Sequence, residues 1–141
     1  MTDEAVSVLP PVVDAAWDAG IRTFDTAPLY GHGRSEERIG RALRRQPRST
    51  FVLSTKVGRL LRPPAGERFE THGFVDVPRL EIVYDYSRDG ALRSIEESLD
   101  RLGRTFEVIC VDDGSTDDSL QALRAIAASR PEFKIVRFRR N

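Results

Sequence analysis

The sequence predicts an α/β protein: a parallel sheet of about four main strands with alternating helices, arranged as a partial barrel or an open sheet. Three observations carry that expectation. Short apolar runs alternate with runs of helical period along the whole chain. The stretch "FEVICVDD" is almost continuously apolar, as strands covered on both faces are. Glycine or proline marks most changes of pattern. In such folds the crossovers are right-handed and ligands bind beyond the carboxyl ends of the strands, where Asp25, Lys56 and Asp112 fall.

Each element follows from local chemistry. Residues 11–19, "PVVDAAWDA", read as a short helix with proline in its first turn and Gly20 as its stop. A strand follows at "IRTFDTA". Ser35 is placed to cap "EERIGRALRR", whose apolar stripe is Ile39, Ala42 and Leu43, and Pro47 closes this unit before the strand "TFVLSTKV". Residues 58–86 carry three prolines and three glycines; "LEIVYDY" alternates within them, which predicts a small inserted hairpin around 74–86. Ser87 opens "RDGALRSIEESLDRL", with Leu92, Ile95, Leu99 and Leu102 on one face, pairs Arg93 to Glu97 and Glu97 to Arg101 on another, and Gly103 as the stop. The strand "FEVICVDD", a helix over "DDSLQALRAIAAS" and a last strand "FKIVRF" complete the pattern.

Composition narrows the function classes. The 141 residues suffice for one folded unit. The 22 basic and 22 acidic residues cancel, so charge favours neither nucleic acid nor a membrane surface, and no apolar run reaches membrane-spanning length. Cys110 is the only cysteine, which rules out an internal disulfide and a cysteine-based metal cluster and fits a reducing cytoplasm. The basic end, Lys134, Arg137, Arg139 and Arg140, reads as a solvated strand edge.

One constellation carries redox chemistry. "GIRTFDTAPLYGHGRSEERIGRAL", "FVLSTKVGR" and "VYDYSRDGALRSIEESLDRLG" together resemble the aldo/keto reductase family, in particular its bacterial sugar and aldose dehydrogenase branch, over residues 3–103. The resemblance implies an eight-stranded α/β barrel, a nicotinamide cofactor, NAD(P), and hydride exchange with a carbonyl or alcohol. It also implies that Asp25, Tyr30 and Lys56 are three of four catalytic residues. Their chemistry is coherent without the resemblance. A carbonyl accepting hydride needs a proton on its oxygen, and a tyrosine donates one near neutrality when a cation lowers its pKa from about 10. Lys56 would be that cation, kept charged and oriented by Asp25. The family's fourth residue is a histidine, and alignment puts Asp112 in its place, with the wrong sign of charge for stabilising an alkoxide. His32 and His72 lie on loops with no sequence reason to reach that position.

A second constellation begins at Gly103. "GRTFEVICVDDGSTDDSLQALRAIAASRPEFKIVRFRRN" resembles the second to third strand region of a family 2 glycosyltransferase. The resemblance implies a nucleotide-binding acidic turn at Asp112 and Asp113, with Gly114 permitting the turn and Ser115 or Thr116 capping the next helix. No divalent metal site is expected there, because one acidic turn supplies too few oxygen ligands.

The combined expectation is a chimera: a reductase-like segment, 1–103, joined to a glycosyltransferase-like segment, 104–141, in one folded unit. Its oxidoreductase ancestry is expected to survive without useful turnover, because the loops that hold the dinucleotide in such barrels follow late strands absent from this sequence. The alternatives are a non-catalytic interaction module and a nucleotide-sugar-binding fragment. A homodimer or a protein partner is expected to cover the sheet face that the rest of a barrel would fill.

Overall fold

In the computed structural model the described residues are 9–103, 108–112, 114, 116, 118–130 and 133–138. The chain divides into two compact units, Met1–Arg104 and Thr105–Asn141.

The first unit begins with α1 (Leu9–Asp18), followed by β1 (Thr23–Asp25), α2 (Arg34–Leu43), a 3-10 turn (Arg48–Thr50) and β2 (Val52–Ser54). β1 and β2 pair in parallel, Thr23 with Val52, Phe24 with Leu53 and Asp25 with Ser54. Their core is aromatic. Phe24, Leu43 and Phe51 are buried, with Val13, Ala16, Trp17, Ile39 and Leu53 packed around them. Phe51 meets Trp17 and Phe24 edge to face, at centroid separations of 6.1 and 6.5 Å. Each such side chain contributes about 1.5–3 kcal/mol through the area it removes from water. The core therefore fixes α1 and α2 over the two strands.

Past β2 the chain enters the insertion. β3 (Arg59–Arg62) and β4 (Glu81–Tyr84) pair antiparallel, Arg59 with Tyr84 through Arg62 with Glu81. The expected hairpin around 74–86 is thus corrected: its outgoing strand lies much earlier, directly after Gly58. Gly58 has φ 85°, and a Cβ there would stand 2.3 Å from the Tyr86 ring, so only glycine permits the turn out of β2. Buried Ser94 of α3 (Arg88–Leu102) takes the Gly58 N–H at 3.1 Å and donates to the Arg59 carbonyl at 3.2 Å, which fastens the hairpin to the helix.

α3 matches its expected bounds. The Ser87 hydroxyl accepts the Gly90 N–H, and Gly103, left-handed at φ 65°, ends the helix. Of the two expected pairs along the helix, Glu97 with Arg101 is present as a 4.0 Å ion pair. Arg93 pairs with Asp85 at 3.0 Å instead of with Glu97, which also meets Arg62 of β3 at 2.7 Å.

In the second unit β5 (Val108–Asp112) and β6 (Phe133–Arg137) pair in parallel, connected through α4 (Ser119–Ser129). Ile109 and Val111 are 56% and 58% exposed, so β5 is open on one face, contrary to the expectation of burial on both. Among the described residues β6 is the strand that pairs with β5. Two further expectations change. α2 is preceded by Gly33 rather than capped by Ser35, and α4 by Asp118 rather than Ser115 or Thr116. Among the described residues the single sheet of four parallel strands is replaced by three two-stranded sheets, two parallel and one antiparallel. Among the described residues no helix is long and apolar enough to cross a membrane.

Candidate functional site

β1 and β2 end together, and their register sets Asp25 opposite Ser54. Successive side chains on an extended chain point to opposite sides, which puts Ser54 and Lys56 on the Asp25 side. The Thr26 N–H bonds to the Ser54 carbonyl at 2.9 Å, carrying the ladder one step past the strands. The Lys56 ammonium then donates to Asp25 Oδ1 at 2.6 Å and to the Thr26 carbonyl at 3.3 Å, and the Ser54 hydroxyl donates to the same aspartate oxygen.

These contacts favour the charged carboxylate. The hydrogen bond from Lys56, and after it that from Ser54, holds Asp25 below the usual carboxylate range. Asp25 and Lys56 are 54% and 42% exposed, so the pair is open to a ligand.

Tyr30 stands on the loop between β1 and α2 and is 39% exposed. Among the described residues its hydroxyl makes no hydrogen bond, and the Lys56 ammonium bonds to Asp25 and Thr26 instead. The loop is tightly wound: the Tyr30 N–H bonds to Ala27, the Gly33 N–H to Pro28 and the Ser35 N–H to the Tyr30 carbonyl. The structure thus joins two of the three expected catalytic residues and leaves the third on an adjoining loop.

A second cluster lies behind the first. Glu36 is 0% exposed, and its two oxygens take the Thr55 hydroxyl and Arg101 Nε, both at 2.6 Å. Thr26, also buried, donates to the Ser35 hydroxyl at 2.8 Å. Glu36 is not among the residues that the sequence singles out. The available signal was its spacing: Glu36, Gly40 and Leu43 share the buried face of α2, and a carboxylate on such a face requires a partner.

His32 is buried and fully engaged. Its Nδ1 lies 2.6 Å from the Leu80 carbonyl, which can only accept, so Nδ1 carries the proton and Nε2 is left to accept from His72 Nδ1 at 3.3 Å. The two histidines pin the hairpin loop to the turn before α2. A cleft of about 340 Å³, lined by His32, Leu61, Leu80, Arg62, Glu97 and Arg101 among others, opens between the hairpin and the helices; Asp25, Tyr30 and Lys56 do not line it.

In the second unit Asp112 ends β5, buried, with Arg137 Nε of β6 at 3.6 Å. Gly114 has φ 109°, a left-handed conformation suited to a tight turn. Burial pushes the Cys110 thiol up from its ordinary pKa. Asp113, Ser115, Arg139 and Arg140 lie outside the described residues. Among the described residues no group of three or more histidine, cysteine, aspartate or glutamate side chains is placed to hold a metal ion.

Comparison with known proteins bears on the whole arrangement. Residues 3–126 match the aldo/keto reductase family. Two curated relatives are a D-threo-aldose 1-dehydrogenase of a Pseudomonas species, 50% identical over 105 residues, and a pyridoxal 4-dehydrogenase of Microbacterium luteolum, 43% identical over 101. The first alignment covers 72% of this chain and 31% of the relative, the second 65% and 29%, so the chain spans about a third of the length of these relatives. Among solved structures, a glycerol dehydrogenase of Gluconobacter oxydans superposes with a TM-score of 0.61 at 25% identity, covering 91% of this chain and 37% of that one. The family match runs past Gly103 to residue 126, so a change of family at Gly103 finds no support. By its sequence match and its fold, the chain belongs to the aldo/keto reductase family.

Proposed function

We propose that Asp25, Lys56 and Tyr30 form the proton-transfer half of an NAD(P)-dependent dehydrogenase or reductase site acting on a carbonyl, hemiacetal or alcohol. The observation that carries this reading is the 2.6 Å contact of Lys56 with Asp25 at the open ends of two parallel strands. The carboxylate keeps the ammonium charged and aimed. A tyrosine brought to that ammonium by a bound substrate becomes a better acid, and it protonates the oxygen that gains charge in reduction. Two dehydrogenase relatives and the family match support the reaction class.

The nicotinamide cofactor would supply the hydride. A phosphate cradle does not emerge from the described residues near the site. The glycine-containing turn into α2 is followed by Glu36 and Glu37 in the first helical turn, which repel a phosphate. Leu61 and Arg101 side chains already fill the space beside Gly33. The reading therefore concerns the proton side alone, and weak dinucleotide binding with slow turnover belongs to it. Fluorescence titration of the full chain with NADPH should give a Kd weaker than about 10 μM. Reduction of an activated aldehyde at millimolar NADPH should fall roughly 100-fold or more in Tyr30→Phe and Lys56→Met. Equal rates in wild type and Tyr30→Phe, or no reduction at all, would rule the assignment out.

A second, non-catalytic property is favoured by one observation. Ile109, Val111, Val136 and Phe138 are exposed in and beside the β5–β6 pair. A second copy of the chain or a protein partner covering this face accounts for them. Light scattering across a concentration series distinguishes self-association from a monomer.

A further inference from the structure

Two consecutive side chains at the start of α2 reach back to the two strands beside the points where the Asp25–Lys56 pair departs. The Ser35 hydroxyl accepts from Thr26, the residue after Asp25, at 2.8 Å. Glu36 Oε1 accepts from Thr55, the residue before Lys56, at 2.6 Å. Alternation along the extended chain sorts these groups by side. Asp25, Ser54 and Lys56 face the open site; Thr26 and Thr55 face the helix. Ser35 and Glu36 therefore hold both strand tips from behind.

The hold is firm because Glu36 has nowhere else to go. No water reaches its carboxylate, and its other oxygen is taken by Arg101 Nε at 2.6 Å, itself 14% exposed. Arg101 also donates to buried Ser98 at 3.3 Å. Any displacement of Glu36 would leave a buried charge without its partners, so α3 anchors α2, and α2 anchors the strand tips. An ion pair between two half-exposed side chains is by itself loose, since a long lysine chain loses much rotamer freedom in a single geometry. Fixing the backbone on either side of the pair reduces that loss.

We infer that Ser35 and Glu36 are positioning residues for the Asp25–Lys56 pair, with Arg101 of α3 as the anchor that holds Glu36. The inference rests on the assignment of that pair to proton transfer, and it assigns work to residues that touch no substrate. It also explains why a carboxylate and a guanidinium occupy a helix interface that apolar residues could fill.

The chain contains two lysines, Lys56 and Lys134, so one reports and the other is an internal reference. Trace acetylation of the full chain with acetic anhydride, read by mass spectrometry, gives the ratio of labelling at Lys56 to that at Lys134. Thr55→Val removes the donor to Glu36 at nearly constant volume; Ser35→Ala removes the acceptor for Thr26. Each is expected to raise the ratio at least threefold, and Thr55→Ser to restore it. In Thr55→Val the Asp25 carboxyl, followed by carbon NMR, should titrate closer to its ordinary value than in wild type. If both folded variants keep the wild-type ratio and Asp25 titration, whatever their melting temperatures, Ser35 and Glu36 only dock a helix and the inference fails. Should Thr55→Val not fold, Ser35→Ala decides by itself. Labelling does not depend on turnover: released Lys56 in a chain that reduces no aldehyde keeps the inference and removes the proposed function. Unmoved Lys56 in an active chain does the reverse.

Discussion

Gly40 of α2 lies directly against the backbone of Leu102 in α3: a Cβ at Gly40 would stand 2.4 Å from the Leu102 carbonyl oxygen. Backbone cannot rotate away as a side chain can, so Gly40→Ala forces the two helices apart. Overpacking of this kind costs about 1–3 kcal/mol, more than the gain of up to about 1 kcal/mol in helix propensity. The expected outcome is a lower urea midpoint with an unchanged slope. Because Glu36 and Arg101 meet across the same interface, this variant should also weaken their ion pair.

The Glu36–Arg101 pair gives a sharper test. Arg101→Met leaves Glu36 buried without its counter-ion and should cost about 3–5 kcal/mol, whereas the double variant Glu36→Met with Arg101→Met should recover most of that loss. Urea denaturation of wild type, both single variants and the double variant measures the difference. A double variant no more stable than Arg101→Met would show that burial of the charge is not the source of the cost. Although stable, the double variant should retain little aldehyde reduction, since Thr55 has lost its acceptor.

Acid stability follows from two aspartates. Lys56 and then Ser54 lower the Asp25 pKa from 3.8, and Ser87 followed by Arg93 lowers that of Asp85 from the same value. In both cases the folded pKa is the lower one. The unfolded chain therefore binds more protons in this range, and stability rises with pH there. The contribution is fully present above about pH 5. It is lost as the pH falls through 3.8 and then through the folded values. Both side chains meet water, so the Asp25 contribution should stay below about 1 kcal/mol and shrink with salt. Urea midpoints between pH 2.5 and 6 should show a smaller acid limb in Asp25→Asn than in wild type.

Ser87 serves two partners. Its hydroxyl accepts from the Gly90 N–H at 3.1 Å and donates to Asp85 at 2.6 Å. Ser87→Ala should cost about 1 kcal/mol through loss of the cap and should raise the Asp85 pKa. Thermal unfolding and carbon NMR titration measure the two effects separately.

The His32–His72 contact predicts a change in mobility rather than in stability. His72→Ala removes the donor to His32 Nε2 but leaves the His32 bond to Leu80. Limited trypsin digestion should then cut faster at Arg68 and Arg79, with little change in melting temperature.

How far the sequence reveals this molecule depends on the range of each interaction. α3 was legible because its Ser87 cap and its Gly103 stop are local, and the structure keeps both; its buried positions are Gly90, Ser94, Ser98 and Leu102, so of the expected stripe only Leu102 is fully buried. Asp25 and Lys56 were legible because each closes a short apolar run, and the structure brings them together. The partition into two-stranded sheets was not, since partner choice between β3 and β4 depends on a glycine turn at 58 and a return about twenty residues later. Ser35 looked like a helix cap because capping and cross-element bonding use the same hydroxyl. Here Gly33 takes the position before the helix, and the hydroxyl is free to meet Thr26. The histidine pair joins residues 40 positions apart, beyond what any periodicity encodes.

The in-step pairing of Thr23–Asp25 with Val52–Ser54 also governs which changes in gene length the protein can absorb. A codon gained or lost between Arg44 and Pro47 alters a bend and leaves every rung in place. The same event between Val52 and Lys56 turns the ammonium to the opposite side of the ladder and strands it from its carboxylate. Insertions and deletions in descendants of this sequence should therefore collect in the bend and be purged from the five codons that follow Phe51.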